Sequence, residues 1–384
     1  MTMKITSLAV YPIKGLRGFK LQSAQIGPLG IRYDRTFMLY ETDSSTGDIT
    51  KKIQIDSHPL CGLFEQQIIQ KSEEEPSRIL VTFHGSPSGE SASENASDDK
   101  PTLFVPLEPD MAPLDKVTVP LHRSPTTAYR MGEPYDAWFS HQFGKPVALV
   151  YLGDGRRAVL GATLPPKPLP EQQQEQQQQG GGWFSAITSY LIKGTQQSTT
   201  SAPGPFISFA DVAPMLVTSE ASLRDVEGRL LTGSDPNGGK LEVGMYKFRP
   251  NVVVDGVGEE PWAEDFWAEL AIREQKGPTR VEPRGSGVTT LQLTGNCVRC
   301  VSLNVDYATG KPAEGELGNV LKRLMKERRV DTGSKWSPVF GRYAFLGGRD
   351  VKEAVVGTVV VSVGDEVAVT RRNEERSVWD WPGM

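Results

Sequence analysis

Cysteine, histidine and long apolar runs are scarce in this sequence. Its 384 residues include three cysteines and four histidines. So few cysteines exclude a disulfide scaffold, and their odd number fits a reducing compartment. No stretch reaches the roughly 20 apolar residues that span a bilayer, and the N-terminal residues lack the apolar core of a signal peptide. The sequence therefore predicts a protein of the cytosol or of the cytosolic face of a membrane.

A large excess of one charge is also missing. The 42 Lys and Arg residues nearly balance 47 Asp and Glu residues, which gives a net charge of −5. A nucleic-acid-binding protein carries a basic footprint, so we expect no nucleic-acid partner. With 38% hydrophobic and 23% charged residues, the composition is that of a soluble globular protein. It excludes collagen, coiled coil and wholesale disorder.

The length allows two domains, and the residue pattern divides the chain into three parts. Residues 1–160 are rich in short strands and turn signals. Residues 161–204 form a low-complexity insertion or linker, because PPKPLPEQQQEQQQQGGG cannot build a core. Residues 205–384 mix strands with amphipathic helices. We therefore expect an α+β protein with two folded domains.

Hydrophobic periodicity predicts the individual elements. Strands are expected in ITSLAVYPIKG, DRTFMLYE, RILVTFHG, DKVTVPLH, VALVYLG, FRPNVVVDG and GVTTLQLTG. Helices are expected in PYDAWFSHQFG, TSEASLRDVEGRLL and NVLKRLMKERR. The segment GTVVVSVGDEVAVT predicts a hairpin with its turn at Gly364-Asp365.

The segment WFSAITSYLIKG, residues 183–194, has two interpretations. It can form an amphipathic helix that touches a membrane or a partner protein. It can instead pack on its own domain, or remain disordered. Its single positive charge, Lys193, favours the second interpretation.

A Cys-x-x-Cys pair, Cys297 and Cys300, has four chemical interpretations. A zinc site needs two further ligands, and the histidines at 58, 84, 122 and 141 are scattered. A thioredoxin-like pair begins a helix, whereas VSLNVDY shows strand alternation. Inert buried thiols are the simplest interpretation. The fourth is a thiolate ligand to a soft transition metal in a cofactor, with Arg299 holding the thiolate or an anionic cofactor.

Three basic residues stand beside turn and strand signals. Lys14 ends YPIKG, Arg35 follows Asp34, and Arg249 opens RPN with Asn251 two residues later. A lone Lys or Arg is usually a solvated surface charge. If these residues converge in the fold, they form an anion site suited to a phosphate.

Six motifs carry a resemblance to a known family. YPIKG, YDRTFML, FADVAPMLVTSEASL, FRPNVVVDG, PWAEDFW and NCVRC occur in the order seen in the MOSC family. More closely, the sequence resembles the mitochondrial amidoxime-reducing component and its bacterial YcbX-like relatives. The resemblance implies an N-terminal β-barrel-like domain followed by a β-rich MOSC domain with helices. It runs along nearly the whole chain except residues 85–101 and the insertion.

This resemblance implies a molybdenum cofactor, Mo-molybdopterin, held by a pterin dithiolene and one protein cysteine. By similarity the metal ligand is Cys300, with Cys297 beside it. The residues that match pterin-binding and phosphate-binding positions are Lys14, Arg35, Arg249 and Asn251, and further matches are Asp211, Ser219 and Arg299. Two departures stand out, because Gly15 and the pair Val212-Ala213 replace hydroxyl-bearing residues of mammalian members.

The implied reaction is two-electron reduction of small N-hydroxylated compounds such as amidoximes and hydroxylamines. No Gly-x-Gly-x-x-Gly opens a strand–helix unit for NADH, so the resemblance implies electrons from cytochrome b5 and its NADH-dependent reductase. An acidic carrier favours a basic landing surface. The helix of NVLKRLMKERR offers one in Lys322, Arg323, Lys326, Arg328 and Arg329, unless these residues form an ordinary solvated face.

The alternatives are a carrier that binds the cofactor without turnover and a protein that presents sulfurated cofactor. The second resembles the C-terminal domain of molybdenum cofactor sulfurase. A complete sulfurase needs a large pyridoxal-phosphate domain, and we expect none beside two MOSC domains in 384 residues, which disfavours this alternative. A third alternative is a degenerate site that binds no metal. We expect no counterpart of the mammalian N-terminal membrane anchor, so a mitochondrial outer-membrane location stays possible but does not carry over directly.

Overall fold

The structure is a computed structural model that describes residues 3–70, 76–85, 100–161, 205–230, 242–257, 259–275, 287–347 and 359–383. The predicted segment 183–194, nearly all of the predicted insertion and most of the polar run 85–101 lie outside the described residues. The predicted α+β class is confirmed: strands dominate, and the helices are few and short.

Two groups of strands flank the predicted insertion. The described strands before it are β1 (Met3–Val10), β2 (Ile13–Lys14), β3 (Phe19–Leu21), β4 (Ser23–Gly27), β5 (Gly30–Ile31), β6 (Phe37–Thr42), β7 (Ile49–Ile53), β8 (Phe64–Ile69), β9 (Arg78–Phe83), β10 (Thr102–Pro106), β11 (Asp115–Val119), β12 (Thr126–Arg130), β13 (Val147–Tyr151) and β14 (Arg157–Ala158). Those after it are β15 (Phe206–Ile207), β16 (Met215–Ser219), β17 (Val252–Asp255), β18 (Trp267–Arg273), β19 (Val288–Val298), β20 (Val305–Asp306), β21 (Lys311–Pro312), β22 (Val339–Leu346), β23 (Val360–Ser362) and β24 (Glu366–Arg372).

Helices connect and cover these strands. The described α-helices are α1 (Tyr135–Phe143), α2 (Glu220–Leu230) and α3 (Val320–Glu327). Short 3-10 helices cover Pro59–Leu63, Met245–Phe248, Ala263–Phe266, Val301–Asn304 and Gly315–Asn319. None of the helices in the described ranges combines the length and the apolar character needed to cross a membrane.

Seven strands close into a barrel. They pair in the order β1, β17, β16, β22, β19, β18 and β24, and β24 pairs with β1 to complete the ring. One buried apolar cluster fills it, with Leu8, Val217, Val254, Leu270 and Leu291 among its members. The first strand therefore completes a barrel whose other six strands follow residue 204.

Strand β1 changes its inward face once along its length. Met3 and Ile5 are buried before the change, and Leu8 and Val10 are buried after it. The pairing with β17 shifts register between Ile5 and Ser7, and such an irregularity changes which face a residue presents. The shift lets both halves of β1 point apolar side chains into the barrel.

A second sheet and a three-stranded sheet pack around another core. The second sheet has the order β11, β12, β13, β6 and β2, with β7 also paired to β6. The three-stranded sheet is β10, β9 and β8. Helix α1 brings aromatic rings to this core, where Phe143 stacks on Phe64 with ring centroids 5.0 Å apart.

Strand pairing crosses the predicted boundary between the two parts of the chain. Besides β1, strand β4 pairs with β23, and β14 pairs with β15. Ala158 and Phe206 are direct partners in that last pair. The two ends of the predicted insertion therefore lie next to each other, as an insertion into a folded unit requires.

Two local predictions are wrong. Gly364 does form a turn with φ of 94°, but β23 pairs with β4 and β24 pairs with β18 and β1, so they do not form a hairpin together. Residues 301–304, predicted as strand, form a 3-10 helix that begins directly after Cys300. Apolar alternation did not reveal this helical turn.

A buried cluster of charges joins α3, β22 and the segment after β24. Asp265 accepts hydrogen bonds from Arg328 Nη2 at 2.7 and 2.8 Å and from Arg376 Nε at 2.8 Å. The Asp265 side chain is 1% exposed and that of Arg328 is 5% exposed. Arg342 donates to the backbone oxygen of Asp265 at 2.9 Å. One carboxylate thus compensates two guanidinium groups.

Replacing Asp265 tests this cluster. We expect Asp265→Asn to lower the free energy of unfolding by about 3–5 kcal/mol, because it leaves buried arginine charge uncompensated. The control Glu108→Gln breaks the exposed pair with Arg32, whose atoms are 2.8 Å apart, and should cost less than about 1 kcal/mol. Urea unfolding measures both variants. Equal losses would contradict the distinction between the buried and the exposed pair.

Candidate functional site

One cavity of about 460 Å³ collects most of the predicted site residues. Its walls come mainly from the segment after β1, the turn before β6, the end of β7, the turn after β11, the segments that lead into β16 and β17, and the Cys-x-x-Cys loop. The predicted residues that line it are Lys14, Arg35, Asp211, Arg249, Asn251, Arg299 and Cys300. Residues more than 280 positions apart in sequence therefore meet at one site.

Ser219 is the predicted site residue that the cavity does not include. It is buried at the end of β16, and its Oγ accepts a hydrogen bond from the Ala221 N–H at 3.2 Å. A serine oxygen at this position satisfies a free backbone donor at the start of α2. The structure therefore gives Ser219 a role in starting the helix.

The two cysteines of the Cys-x-x-Cys loop have different surroundings. Cys300 is exposed, and its Sγ lies 3.2 Å from Ser302 Oγ. Cys297 is buried, and its Sγ donates to the Tyr343 hydroxyl at 3.2 Å. Burial raises the pKa of the Cys297 thiol, an effect that Arg299 only partly offsets. Both thiols line the cavity, and Cys300 is the more accessible of the two.

Arg299 fixes the shape of this loop. Its guanidinium donates to Phe340 O at 2.8 and 3.0 Å and to Phe248 O at 2.9 Å. Its backbone N–H donates to Pro338 O at 2.8 Å. All three guanidinium nitrogens thus donate to backbone oxygens. Because these oxygens carry no full charge, Arg299 keeps its positive charge at the cavity wall.

Arg35 and Arg249 meet around the ring of Tyr11. Their guanidinium carbons lie 4.8 and 4.4 Å from the ring centroid, within cation–π range. Both arginines have positive φ angles, 52° and 55°, which non-glycine residues adopt only where the surroundings hold them. Arg35 also pairs with the adjacent Asp34 carboxylate. The two guanidinium groups are thus held in fixed positions.

Asn251 joins the barrel to this arginine pair. Its Oδ1 accepts from Arg35 Nη1 at 3.2 Å and from the Leu216 N–H at 3.1 Å. Its Nδ2 donates to Ala9 O at 3.3 Å. The residue has no solvent exposure. These three bonds therefore take the place of the hydrogen bonds that its amide group would make with water.

A cluster of three titratable groups forms another wall. The Lys14 ammonium pairs with Asp211 Oδ1, and His122 Nε2 lies 3.0 Å from the same oxygen. Burial lowers the pKa of Lys14 to about 8, although Asp211 opposes the shift. Burial raises the pKa of Asp211, but Lys14 and His122 outweigh it and hold that pKa well below its usual range.

Positive charge dominates the cavity wall. The lining contains six Lys and Arg side chains and two carboxylates. The basic residues are Lys14, Arg35, Lys52, Lys247, Arg249 and Arg299, and the acidic ones are Asp56 and Asp211. Such a wall favours an anionic ligand with several charged oxygens, such as a phosphate ester.

Sequence reasoning missed His122, Lys52, Lys247 and Tyr343. His122 lies in the turn between β11 and β12 with φ of 48°, and no motif marks it. The departure at Gly15 has a backbone explanation. Gly15 lines the cavity with φ of 95°, a conformation that favours glycine.

The predicted basic surface on α3 is smaller than expected. Arg328 is buried in the Asp265 cluster, and Arg323 pairs with Glu316 at 2.8 Å. Lys322, Lys326 and Arg329 remain exposed. The helix itself is confirmed, with Val320 and Leu324 buried on its inner face.

Comparison with known families agrees with this geometry. The MOSC domain matches residues 205–368, and the MOSC N-terminal beta barrel domain matches residues 2–146. Together the two matches cover most of the chain. The chain is a MOSC-domain protein. Its barrel and its cavity combine residues from both matched regions.

Curated relatives of this MOSC-domain protein carry two names. Molybdenum cofactor sulfurase of Solanum lycopersicum is 24% identical over 310 residues, which are 80% of this chain and 29% of the relative. Mitochondrial amidoxime-reducing component 1 of Homo sapiens is 32% identical over 148 residues, which are 38% of this chain and 36% of the relative. The matched regions thus span about a third of the relatives' own length.

Asn251 offers a test of the site's framework in this MOSC-domain protein. We expect Asn251→Ala to lower the free energy of unfolding by about 1–3 kcal/mol, because it leaves buried donors and acceptors without partners. Asn319→Ala is the matched control. That exposed side chain donates to Gly315 O at 2.9 Å, and its loss should cost about 0.5 kcal/mol or less. Urea unfolding compares them, and a neutral Asn251→Ala would contradict the assigned role.

Proposed function

We propose that this MOSC-domain protein binds the molybdenum cofactor and reduces small N-hydroxylated compounds such as amidoximes and hydroxylamines. One observation carries the proposal: the accessible thiol of Cys300 opens into a cavity lined by six basic side chains. A soft thiolate suits a transition metal, and the surrounding cations suit the phosphate of a pterin cofactor. The relatives named for amidoxime reduction support the choice of substrate.

The residues present fit such a group. Cys300 would supply the metal ligand, while Arg35 and Arg249 would face the cofactor's anionic groups. Arg249 donates to Leu16 O at 2.8 Å, and no carboxylate pairs with it among the described residues. When bound, the molybdenum cofactor supplies the two-electron chemistry of oxygen removal.

The side chains of the protein would orient and hold this group. Arg299 keeps the Cys300 loop in one shape through its three backbone bonds. The buried Cys297 thiol donates to the Tyr343 hydroxyl, which leaves the exposed Cys300 thiol as the better placed metal ligand. A ligand is oriented precisely when the side chain that binds it is itself held by neighbouring residues. Arg299 does this for the loop of Cys300.

Electrons must come from outside the chain, and we propose cytochrome b5 with its NADH-dependent reductase as the source. The candidate docking surface for that acidic carrier lies on α3 and just after it. It consists of the exposed residues Lys322, Lys326 and Arg329. For the cellular location we propose the cytosol or the cytosolic face of a membrane. The mitochondrial outer membrane is included because one group of relatives is named for mitochondria.

A second candidate function is presentation of sulfurated cofactor without reduction. The length of the sulfurase matches favours it, since they extend over 80% of this chain in two plant relatives. The cavity serves both functions, because each needs an accessible thiol beside a cofactor site. Only the first needs a substrate to be reduced.

Metal content tests the proposed ligand. The chain is expressed in a host that loads molybdenum enzymes, and molybdenum and pterin are measured in the purified proteins. We expect near-stoichiometric molybdenum in the unchanged protein and in Cys297→Ala, and its loss in Cys300→Ala. Molybdenum missing from all three proteins, in a host that loads a known relative, would contradict cofactor binding.

Turnover separates the two candidate functions. We expect the loaded protein to convert benzamidoxime to benzamidine when NADH, cytochrome b5 and its reductase are present, and Cys300→Ala to lose this activity. Product is measured by chromatography, with the carrier omitted as a control. A fully loaded protein that forms no benzamidine would favour the presentation of sulfurated cofactor.

A further inference from the structure

The proposed reaction consumes protons as well as electrons. Reduction of an amidoxime breaks the N–O bond with two electrons from the external haem carrier. One proton adds to the nitrogen, and a second converts the departing hydroxide to water. A cavity that performs this reaction therefore benefits from an acidic group that is protonated near neutral pH.

The cluster of Lys14, Asp211 and His122 has the geometry of such a source. All three residues line the cavity that contains Cys300. Asp211 Oδ1 accepts from both Lys14 Nζ and His122 Nε2. The Asp211 side chain is 42% exposed, while those of Lys14 and His122 are 4% and 10% exposed. The carboxylate is thus the open end of a cluster whose two nitrogen groups are shielded.

We propose that this cluster supplies protons to the cavity. Lys14 releases the protons one at a time to the nitrogen and the departing hydroxide and regains each from solvent, and His122 is a positioning residue that acts through Asp211. The inference rests on the proposed function, because only a reductive reaction in the cavity consumes the protons. His122 has no part in the family resemblance and no contact with Cys300 among the described residues.

The charges around the cluster identify Lys14 as the acid. Burial lowers the pKa of Lys14 to about 8, with Asp211 opposing and Arg35 and Arg157 adding to the shift. A lysine in this range is protonated at neutral pH and still releases its proton readily. Burial also lowers the pKa of His122, helped by Lys14 and Lys52 and opposed by Asp211. His122 is therefore mainly neutral at pH 7 and donates to Asp211 through Nε2–H.

Sharing one oxygen couples His122 to Lys14. The imidazole N–H takes up part of the hydrogen-bonding capacity of Asp211 Oδ1, which then attracts the ammonium less strongly. Without the imidazole, the carboxylate interacts more strongly with Lys14 and favours its charged form. The proton on Lys14 is then held more tightly, and its release requires a higher pH.

Three variants test this coupling. His122→Leu removes the donor to Asp211, and His122→Gln restores an N–H donor. His84→Leu is the matched control, because His84 Nε2 lies 2.8 Å from Glu65 Oε2 in a similar pair outside the cavity lining. Two quantities are measured in each protein: the titration of Lys14 by NMR of ε-13C-labelled lysine, assigned with Lys14→Arg, and the pH profile of benzamidoxime reduction per molybdenum.

The activity of the unchanged protein should fall as pH rises through about 8, because the acid form of Lys14 is lost. In His122→Leu, both the Lys14 titration and this decline should move upward by about 0.5–1 pH unit. His122→Gln should move less, and His84→Leu should match the unchanged protein. Molybdenum content should be equal in all of them.

Two results would overturn the inference. One is a Lys14 titration that does not move in His122→Leu, which can be measured without any cofactor. The other is an unmoved pH profile in a fully loaded His122→Leu protein. Absence of molybdenum from every protein would instead contradict the proposed function, and the NMR titration would still decide whether His122 controls the proton on Lys14.

Discussion

The buried amide of Asn251 is the interaction on which the site depends. It bonds Ala9 near the end of β1, Leu216 near the start of β16, and Arg35 in the turn before β6. These segments lie up to 242 residues apart. An amide suits this place because it has both an acceptor and a donor, so one buried side chain bonds three partners at once. The cavity wall inherits its shape from the barrel through this residue.

Burial assigns different chemistry to similar residues. Cys297 and Cys300 are three positions apart, yet Cys297 is buried against Tyr343 and Cys300 is exposed. The arginines divide in the same way. Arg328 and Arg342 neutralise and brace the interior around Asp265, whereas Arg249 and Arg299 bring charge to the cavity. Composition alone does not separate the buried arginines from those of the cavity. The net charge of −5 gives no sign that the cavity wall is strongly basic.

Sequence patterns predicted the elements better than their pairing. The apolar spacing in α1, α2 and α3 and the alternation in β9 were sufficient, because each reflects a local face turned toward a core. The hairpin at Gly364 was wrong because a turn residue does not specify the strand's partner. The motif order led to seven of the cavity residues, including Cys300 and Arg35. His122 escaped notice because its place depends on a turn with positive φ and on a partner 89 residues away.

Closure of the barrel by β1 constrains the order in which the chain can fold during synthesis. Met3–Val10 precedes its barrel partners by a long stretch of sequence, since these are β17 at 252–255 and β24 at 366–372. Strand β3 pairs with the end of β1 early, but the two strands that hold β1 in the barrel are made much later. Non-local strand pairing of this kind is slow and leaves unpaired strand edges, which are prone to aggregation, exposed in the meantime. One edge of β1 therefore stays open until the last barrel strand has been made, and closure of the barrel is a late step of folding.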